Sequence, residues 1–338
     1  MTMEVVVCAE PGVLVRGARA RPSREPGQVL VRIRRVGMCG TDYHIFRGTQ
    51  PYVDYPRVIG HELAGEVVEA DDEGRFAIGT TVCIMPYISC GTCAACRKGK
   101  TNCCMRIEVL GVHRDGGLAE YLAVDARFVI DAQGLSLDQA AMVEFLSIGR
   151  HAAERAGLSA GQKVLVSGAG PIGMAVTLFA VRAGAEVTVI DGNAARATFC
   201  AQTLGARAAL VLDDGVGDRL RETSGGDGFD TVFDATGSAA AIEAGFEHVA
   251  HGGNYVLVSV VPDTIRFSDP EFHRREMSLL GSRNATLADF AAVIEAIRAG
   301  EVPTTAMHTH SAPLSELPGR MAEWMTPGAG VIKAIVEI

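Results

Sequence analysis

The stretch from Val164 to Asp191 limits the possible folds more than any other part of the chain. "VLVSGAGPIG" sets Gly168-x-Gly170-x-x-Gly173 after an apolar run, and "EVTVID" ends in Asp191, eighteen residues past Gly173. A glycine triplet alone is a weak signal. Here it follows a strand, opens a helix and is followed by a second strand ending in an acid, the context of a dinucleotide-binding βαβ unit. Gly168 allows the tight turn, Gly170 lets the backbone approach a pyrophosphate, and Gly173 lets helix and strand pack closely. The helix N-terminus, with Pro171 and Ile172 in its first turn, turns unpaired N–H groups toward phosphate. Asp191 can accept bonds from both adenosine ribose hydroxyls and repels a 2′-phosphate. Gly192 and Asn193 offer no cation, and Arg196 lies on the helix that follows. The expected cofactor is therefore NAD, with NADP as the alternative. Val164 to Val181 carries no charge and is long enough to span a bilayer. Its glycines and Pro171 break it into strand, turn and helix, so no membrane partner is expected.

From Lys163 onward strands and helices alternate: "KVLVSG", "PIGMAVTLFAVRAG", "EVTVID", "NAARATFCAQTLGA", "FDTVFDATG", "AAIEAGFEHVAHGG" and "NYVLVSV". Such alternation predicts a parallel sheet covered on both faces. The chain before Leu137 is different. "GQVLVRIRRVG" alternates Val29, Val31 and Ile33 with polar neighbours, the period of a half-buried strand, and "ELAGEVVEA" and "GTTVCIMPY" are similar glycine-bounded runs. Between the two regions "LDQAAMVEFLSIGRHAAERAG" reads as helix, with Gly157 as its stop, and "GVIKAIVEI" ends the chain as a short strand. The 338 residues suit two domains. With 31 basic against 40 acidic side chains, the net charge of −9 argues against a nucleic-acid or anionic-membrane partner. Nothing at the N-terminus resembles a signal peptide, so a cytoplasmic location is expected. In that compartment nine cysteines, an odd number, do not suggest a disulfide framework.

Five of the nine crowd into "SCGTCAACRKGKTNCC". Cys90, Cys93, Cys96 and Cys104 follow C-x2-C-x2-C-x7-C, and four thiolates in one loop can close a tetrahedral shell around zinc. Cys103 is one residue out of step. A shell of four protein ligands leaves substrate no access, so this lobe, residues 86–106, is a structural staple and the chemistry lies elsewhere. "GMCGTDYHIF" and "VIGHELAG" supply a thiolate at Cys39, an imidazole at His61 and a carboxylate at Glu62. The lobe carries Arg97, Lys98, Lys100 and Arg106, as a zinc-ribbon module gripping nucleic acid would need. The acidic whole chain and the second ligand set speak against that reading.

The chain resembles the zinc-dependent medium-chain dehydrogenase/reductase family over essentially its full length. The resemblance is carried by Cys39-Gly-Thr-Asp-x-x-His44, Gly60-His61-Glu62, the four-cysteine lobe, the glycine fingerprint and "GGLAEY" at 116–121. It implies an α/β protein: a GroES-like β-rich catalytic domain over 1–147 and 285–338, and a Rossmann doubly wound parallel-sheet domain over 148–284. It implies two zinc ions per subunit, one structural and one catalytic in the cleft between the domains, and a homodimer or homotetramer. Ethanol-type members carry a cysteine at the fourth metal position. Sorbitol and threonine dehydrogenases carry a glutamate, and Glu144 in "VEFLSIG" falls there, with Phe145 in place of the usual proline. The resemblance is thus to the polyol and sugar-acid branch. It implies oxidation of a secondary alcohol of a polyol or sugar acid; a simple-alcohol or threonine-type activity is the alternative. By resemblance Thr41 contacts the zinc-bound oxygen and His44 passes its proton outward.

Zn²⁺ with one thiolate and one carboxylate is formally neutral, and a second direct carboxylate would make it a poorer Lewis acid. Glu62 and Glu144 are therefore expected not to be tight ligands at the same time. A sugar acid also needs a cation, for which Arg47, Arg57, Arg114 and Arg283 are candidates.

Overall fold

The computed structural model describes residues 1–326 and 328–338. The chain divides into two compact units, one formed by Met1–Glu144 with Thr286–Ile338 and the other by Phe145–Ala285.

In the Phe145–Ala285 unit, six parallel strands run in the order Ala208–Val211, Glu186–Asp191, Lys163–Ser167, Phe229–Asp234, Val249–Leu257, Ser278–Gly281. In chain order this is 3-2-1-4-5-6, the doubly wound arrangement. Val164, Leu165 and Val166 are adjacent in sequence and all fully buried, as they must be in a strand covered on both faces. Two edge strands, Ala208–Val211 and Ser278–Gly281, have no counterpart among the sequence expectations. Each is four residues long and part-exposed, so neither produces an apolar run or a clean alternation.

The glycine corner follows from its residues. The first strand ends at Ser167, Gly168 turns with φ +95°, and Gly170 caps the helix Pro171–Arg182. A Cβ on Gly173 would overlap the carbonyl oxygen of Gly168, whereas nothing lies within 4 Å of one on Gly170. Gly173 thus serves close packing and Gly170 keeps the approach to the loop open. No helix among the described residues is long and apolar enough to cross a membrane.

In the other unit a seven-stranded, mostly antiparallel sheet runs His308–Pro313, Lys333–Glu337, Gln28–Met38, Glu62–Glu69, Thr81–Ile84, Val129–Asp131, with Tyr121–Asp125 also paired to Gln28–Met38. The central strand Gln28–Met38 buries Leu30 as completely as Val29, Val31 and Ile33. The half-buried strand expected from alternation is in fact covered on both faces at that point. The helical segment after Leu137 is two helices, Leu137–Ala141 and Val143–Ala156, divided at Met142.

The far end of Gln28–Met38 positions the chemistry. Gly37 pairs with Glu62 on one side and Ile335 on the other, and Met38 pairs with Ala334. Cys39 follows directly as N-cap of the helix Gly40–Arg47. Three segments far apart in sequence therefore meet at one strand end.

Gly173→Ala should lose about 1–3 kcal/mol of stability in denaturant unfolding, the usual cost of forcing a methyl into a packed contact.

Candidate metal centres

The cysteine lobe is assembled by tight turns. Cys90, Cys93, Cys96 and Cys104 bring their sulfurs within 4.8 Å of one another. The separations are 4.0 Å for Cys90–Cys96, 3.5 Å for Cys93–Cys96 and 3.9 Å for Cys93–Cys104. A tetrahedral shell with Zn–S near 2.3 Å has edges of about 3.8 Å, so the set fits zinc. Backbone N–H groups point at the sulfurs: Cys93 N–H donates to Cys90 at 3.4 Å, and those of Cys90 and Arg106 donate to Cys104 at 3.3 Å. The N–H groups of Thr92 and Cys93 hold the Cys90 thiol down to about 5, favouring the thiolate that a metal needs. Cys103 is exposed and outside the group.

The second group gathers Cys39, His61 and Glu62, again within 4.8 Å. Its organiser is Asp42, a residue of the quoted motif to which the sequence assigned no role. Asp42 is fully buried at the third position of the helix Gly40–Arg47. One oxygen accepts the Cys39 N–H at 2.9 Å. The other accepts the Gly60 N–H at 3.0 Å and lies 3.7 Å from His61 Nδ1. A single carboxylate thus ties both ligand-bearing loops together and faces the imidazole, the arrangement that fixes a metal-binding histidine's ring. Burial raises the Asp42 carboxyl above its ordinary value, against the pull of His61 and of the two N–H groups. Burial also disfavours a charged His61, yet Asp42 and Cys39 outweigh it and leave the ring well above its ordinary pKa. Such an excess of negative charge around a buried imidazole suits a divalent cation.

Glu62 is fully buried, and both its oxygens accept from Lys333 Nζ at 2.7 Å; Lys333 also donates to the Met38 carbonyl at 3.2 Å. Gly37 makes this possible, because a Cβ there would collide with the Glu62 carboxylate. Glu144, 3% exposed, lies outside the tight group. Tyr87 donates its hydroxyl to Oε1, and Oε2 has no hydrogen-bond partner among the described residues. Burial, with Glu62 adding to it and His61 opposing, pushes the Glu144 carboxyl up to about 7. Neither Lys333 nor Tyr87 announces itself in the sequence. Lys333 is one basic residue entering an apolar strand, and only the register against Gly37 and Met38 reveals its partner.

Thr41 is part-buried in the first turn of the same helix. His44 is exposed further along it, with Nδ1 2.9 Å from Thr49 Oγ1. Of the candidate arginines, Arg57 faces Asp115 at 3.6 Å and Arg114 faces Glu108 at 3.5 Å, while Arg47 and Arg283 are exposed. In the other unit Asp191 accepts the Ala169 and Asn193 N–H groups, each at 2.6 Å, so its carboxylate is held at the mouth of the glycine loop. Gly168, Gly170, Pro171, Ile172 and Gly173 line that loop, and Arg196 stands in the first turn of the helix Ala194–Gln202.

A family model described as "Alcohol dehydrogenase GroES-like domain" matches residues 25–134, and one described as "Zinc-binding dehydrogenase" matches 171–299. The L-galactonate-5-dehydrogenase of Escherichia coli K12 is 40% identical over 320 residues, covering 94% of this chain and 93% of the relative. The chain belongs to the zinc-type medium-chain dehydrogenase/reductase family. It is an oxidoreductase with a GroES-like domain and a Rossmann-type domain. The solved dehydrogenase RspB from E. coli CFT073, complexed with NADH, superposes with a TM-score of 0.93 at 26% identity, covering 100% of this chain and 99% of that one. A zinc-binding dehydrogenase from Sinorhizobium meliloti bound to NADP gives a TM-score of 0.91 at 28% identity over the whole of both chains.

Lys333→Met should cost this dehydrogenase about 3–5 kcal/mol, because it strands a buried carboxylate. Adding Glu62→Gln should recover much of that loss in the same unfolding measurement.

Proposed function

We propose that this dehydrogenase oxidises a secondary hydroxyl of a sugar acid or polyol, with NAD as hydride acceptor and L-galactonate as the leading candidate substrate. The observation that carries the reading is the Glu62–Lys333 pair. It neutralises one of the two glutamates near Cys39 and His61, so Cys39 and Glu144 can balance a zinc dication between them. Glu144 Oε2, buried and without a hydrogen-bond partner among the described residues, is the oxygen available for that purpose. A cysteine–histidine–glutamate set matches the polyol-type ligand pattern, and the 40% identical relative named for L-galactonate supports a sugar-acid substrate.

Bound zinc supplies the Lewis acidity that lowers a hydroxyl's pKa, and NAD accepts the hydride. The chain's own residues do the rest. Cys39, His61 and Glu144 would hold the catalytic ion. Asp42 aims the imidazole and fixes the Cys39 backbone. Tyr87 holds Glu144 by Oε1, which would leave Oε2 for the ion. Thr41 would accept the substrate hydroxyl's proton while giving up its own toward His44, which is exposed with Thr49 at its ring and would release a proton to solvent. The four-cysteine lobe would hold the second zinc without taking part. Asp191 selects NAD by accepting the ribose hydroxyls and repelling a 2′-phosphate.

A panel of sugar acids and polyols with NAD or NADP, read by reduced-nucleotide absorbance, tests the reading. L-galactonate with NAD should be among the best pairs; a chain inert toward every member with both cofactors would sink the proposal. Asp191→Ala should lower kcat/KM with NAD by about 10-fold or more, since a hydrogen bond to a charged group is worth about 1.5–3 kcal/mol. Metal analysis should find two zinc ions per chain, and a Cys93→Ser chain should retain only the catalytic one.

A further inference from the structure

We propose that the phenol of Tyr43 recognises a substrate hydroxyl neighbouring the one that is oxidised, and so selects a polyhydroxylated chain over a simple alcohol. This rests on the polyol reading above and deepens it.

Five buried side-chain polar atoms in the Met1–Glu144 and Thr286–Ile338 unit have no hydrogen-bond partner among the described residues: Arg34 Nε, Arg57 Nε, His61 Nδ1, Glu144 Oε2 and the Tyr43 hydroxyl. The two arginines use other guanidinium nitrogens, on Glu66 and Asp115. His61 Nδ1 faces Asp42, and Glu144 Oε2 is available to a metal ion. The Tyr43 hydroxyl has no such account. Native chains rarely leave a buried hydroxyl unpaired, and an orphan of this kind calls for a partner from outside the protein.

The position of Tyr43 indicates what that partner is. It lies four residues after Cys39, and its N–H donates to the Cys39 carbonyl at 3.3 Å. Cys39 is the N-cap of the helix Gly40–Arg47, so Tyr43 stands one turn along the helix that begins at the proposed ligand. The phenol has one proton to donate and lone pairs to accept. A neutral hydroxyl, itself donor and acceptor, is the group that fits.

Tyr43→Phe removes the hydroxyl and keeps the ring, and it closes a double-mutant cycle with the substrate. The panel's best substrate is compared with its two monodeoxy analogues, each lacking a hydroxyl on one side of the oxidised carbon. Wild type should discriminate against one analogue by about 10-fold, the worth of one buried neutral hydrogen bond, and Tyr43→Phe should erase that ratio by losing activity on the parent alone. Zinc content and thermal midpoint of the variant should match wild type. If the parent-to-analogue ratios are equal in both enzymes, whether all rates fall together or none falls, the hydroxyl is satisfied by water or is structural and the proposal is overturned. A wild type inert toward the entire panel fails the functional reading, and this proposal with it. An active wild type with unchanged ratios in Tyr43→Phe fails this proposal alone.

Discussion

The Asp42 carboxylate is the interaction on which the site depends. It joins the loop that ends in Cys39 to the loop that carries His61 through two backbone N–H groups, and the His61 imidazole lies 3.7 Å from it. Without a shared acceptor, two buried donors would be stranded and the ligands would lose their common orientation. Because Asp42 sits in the first turn of the helix that also presents Thr41, Tyr43 and His44, one short helix registers ligand, relay and proposed substrate contact against the same fixed point. It also lies where acids favour a helix, near the positive end of the dipole.

Around that anchor the charges close. Cys39, Glu62, Glu144 and Asp42 crowd four potential anions into a buried region, which is untenable without compensation. Lys333 meets Glu62 on both oxygens, His61 faces Asp42, and Tyr87 donates to Glu144. The remaining demand is for a cation bound by a thiolate and a carboxylate. The cysteine lobe solves the same problem differently: backbone N–H groups of the turns and the Arg106 guanidinium donate to its sulfurs.

Much of the fold was legible because its signals are local. The glycine fingerprint, the strand–helix alternation and the cysteine spacing each occupy one continuous stretch, and the family and both domain types follow from them. What escaped notice is non-local or weakly patterned. Leu30 sits at a position that alternation marks as solvent-facing, and only strands packed on both sides explain its burial. Met142 divides what reads as one apolar helix. Four-residue edge strands such as Ser278–Gly281 bury too little to leave a trace. At the candidate site the ligand types were readable from cysteine, histidine and glutamate in glycine-rich loops. Their supports were not, since Asp42 looks like any helix-start acid, and Lys333 acquires meaning only from a strand register across the sheet.

The Glu62–Lys333 pair spans 271 positions in sequence. During synthesis all the chain between them must emerge before the acid beside His61 meets its counter-charge. A nascent chain stalled short of Lys333 could build its cysteine lobe, whose four thiols arrive together, yet would still hold Glu62 uncompensated. The two centres should thus mature at different times, the lobe early on the ribosome and the active centre only once the strand Lys333–Glu337 is released.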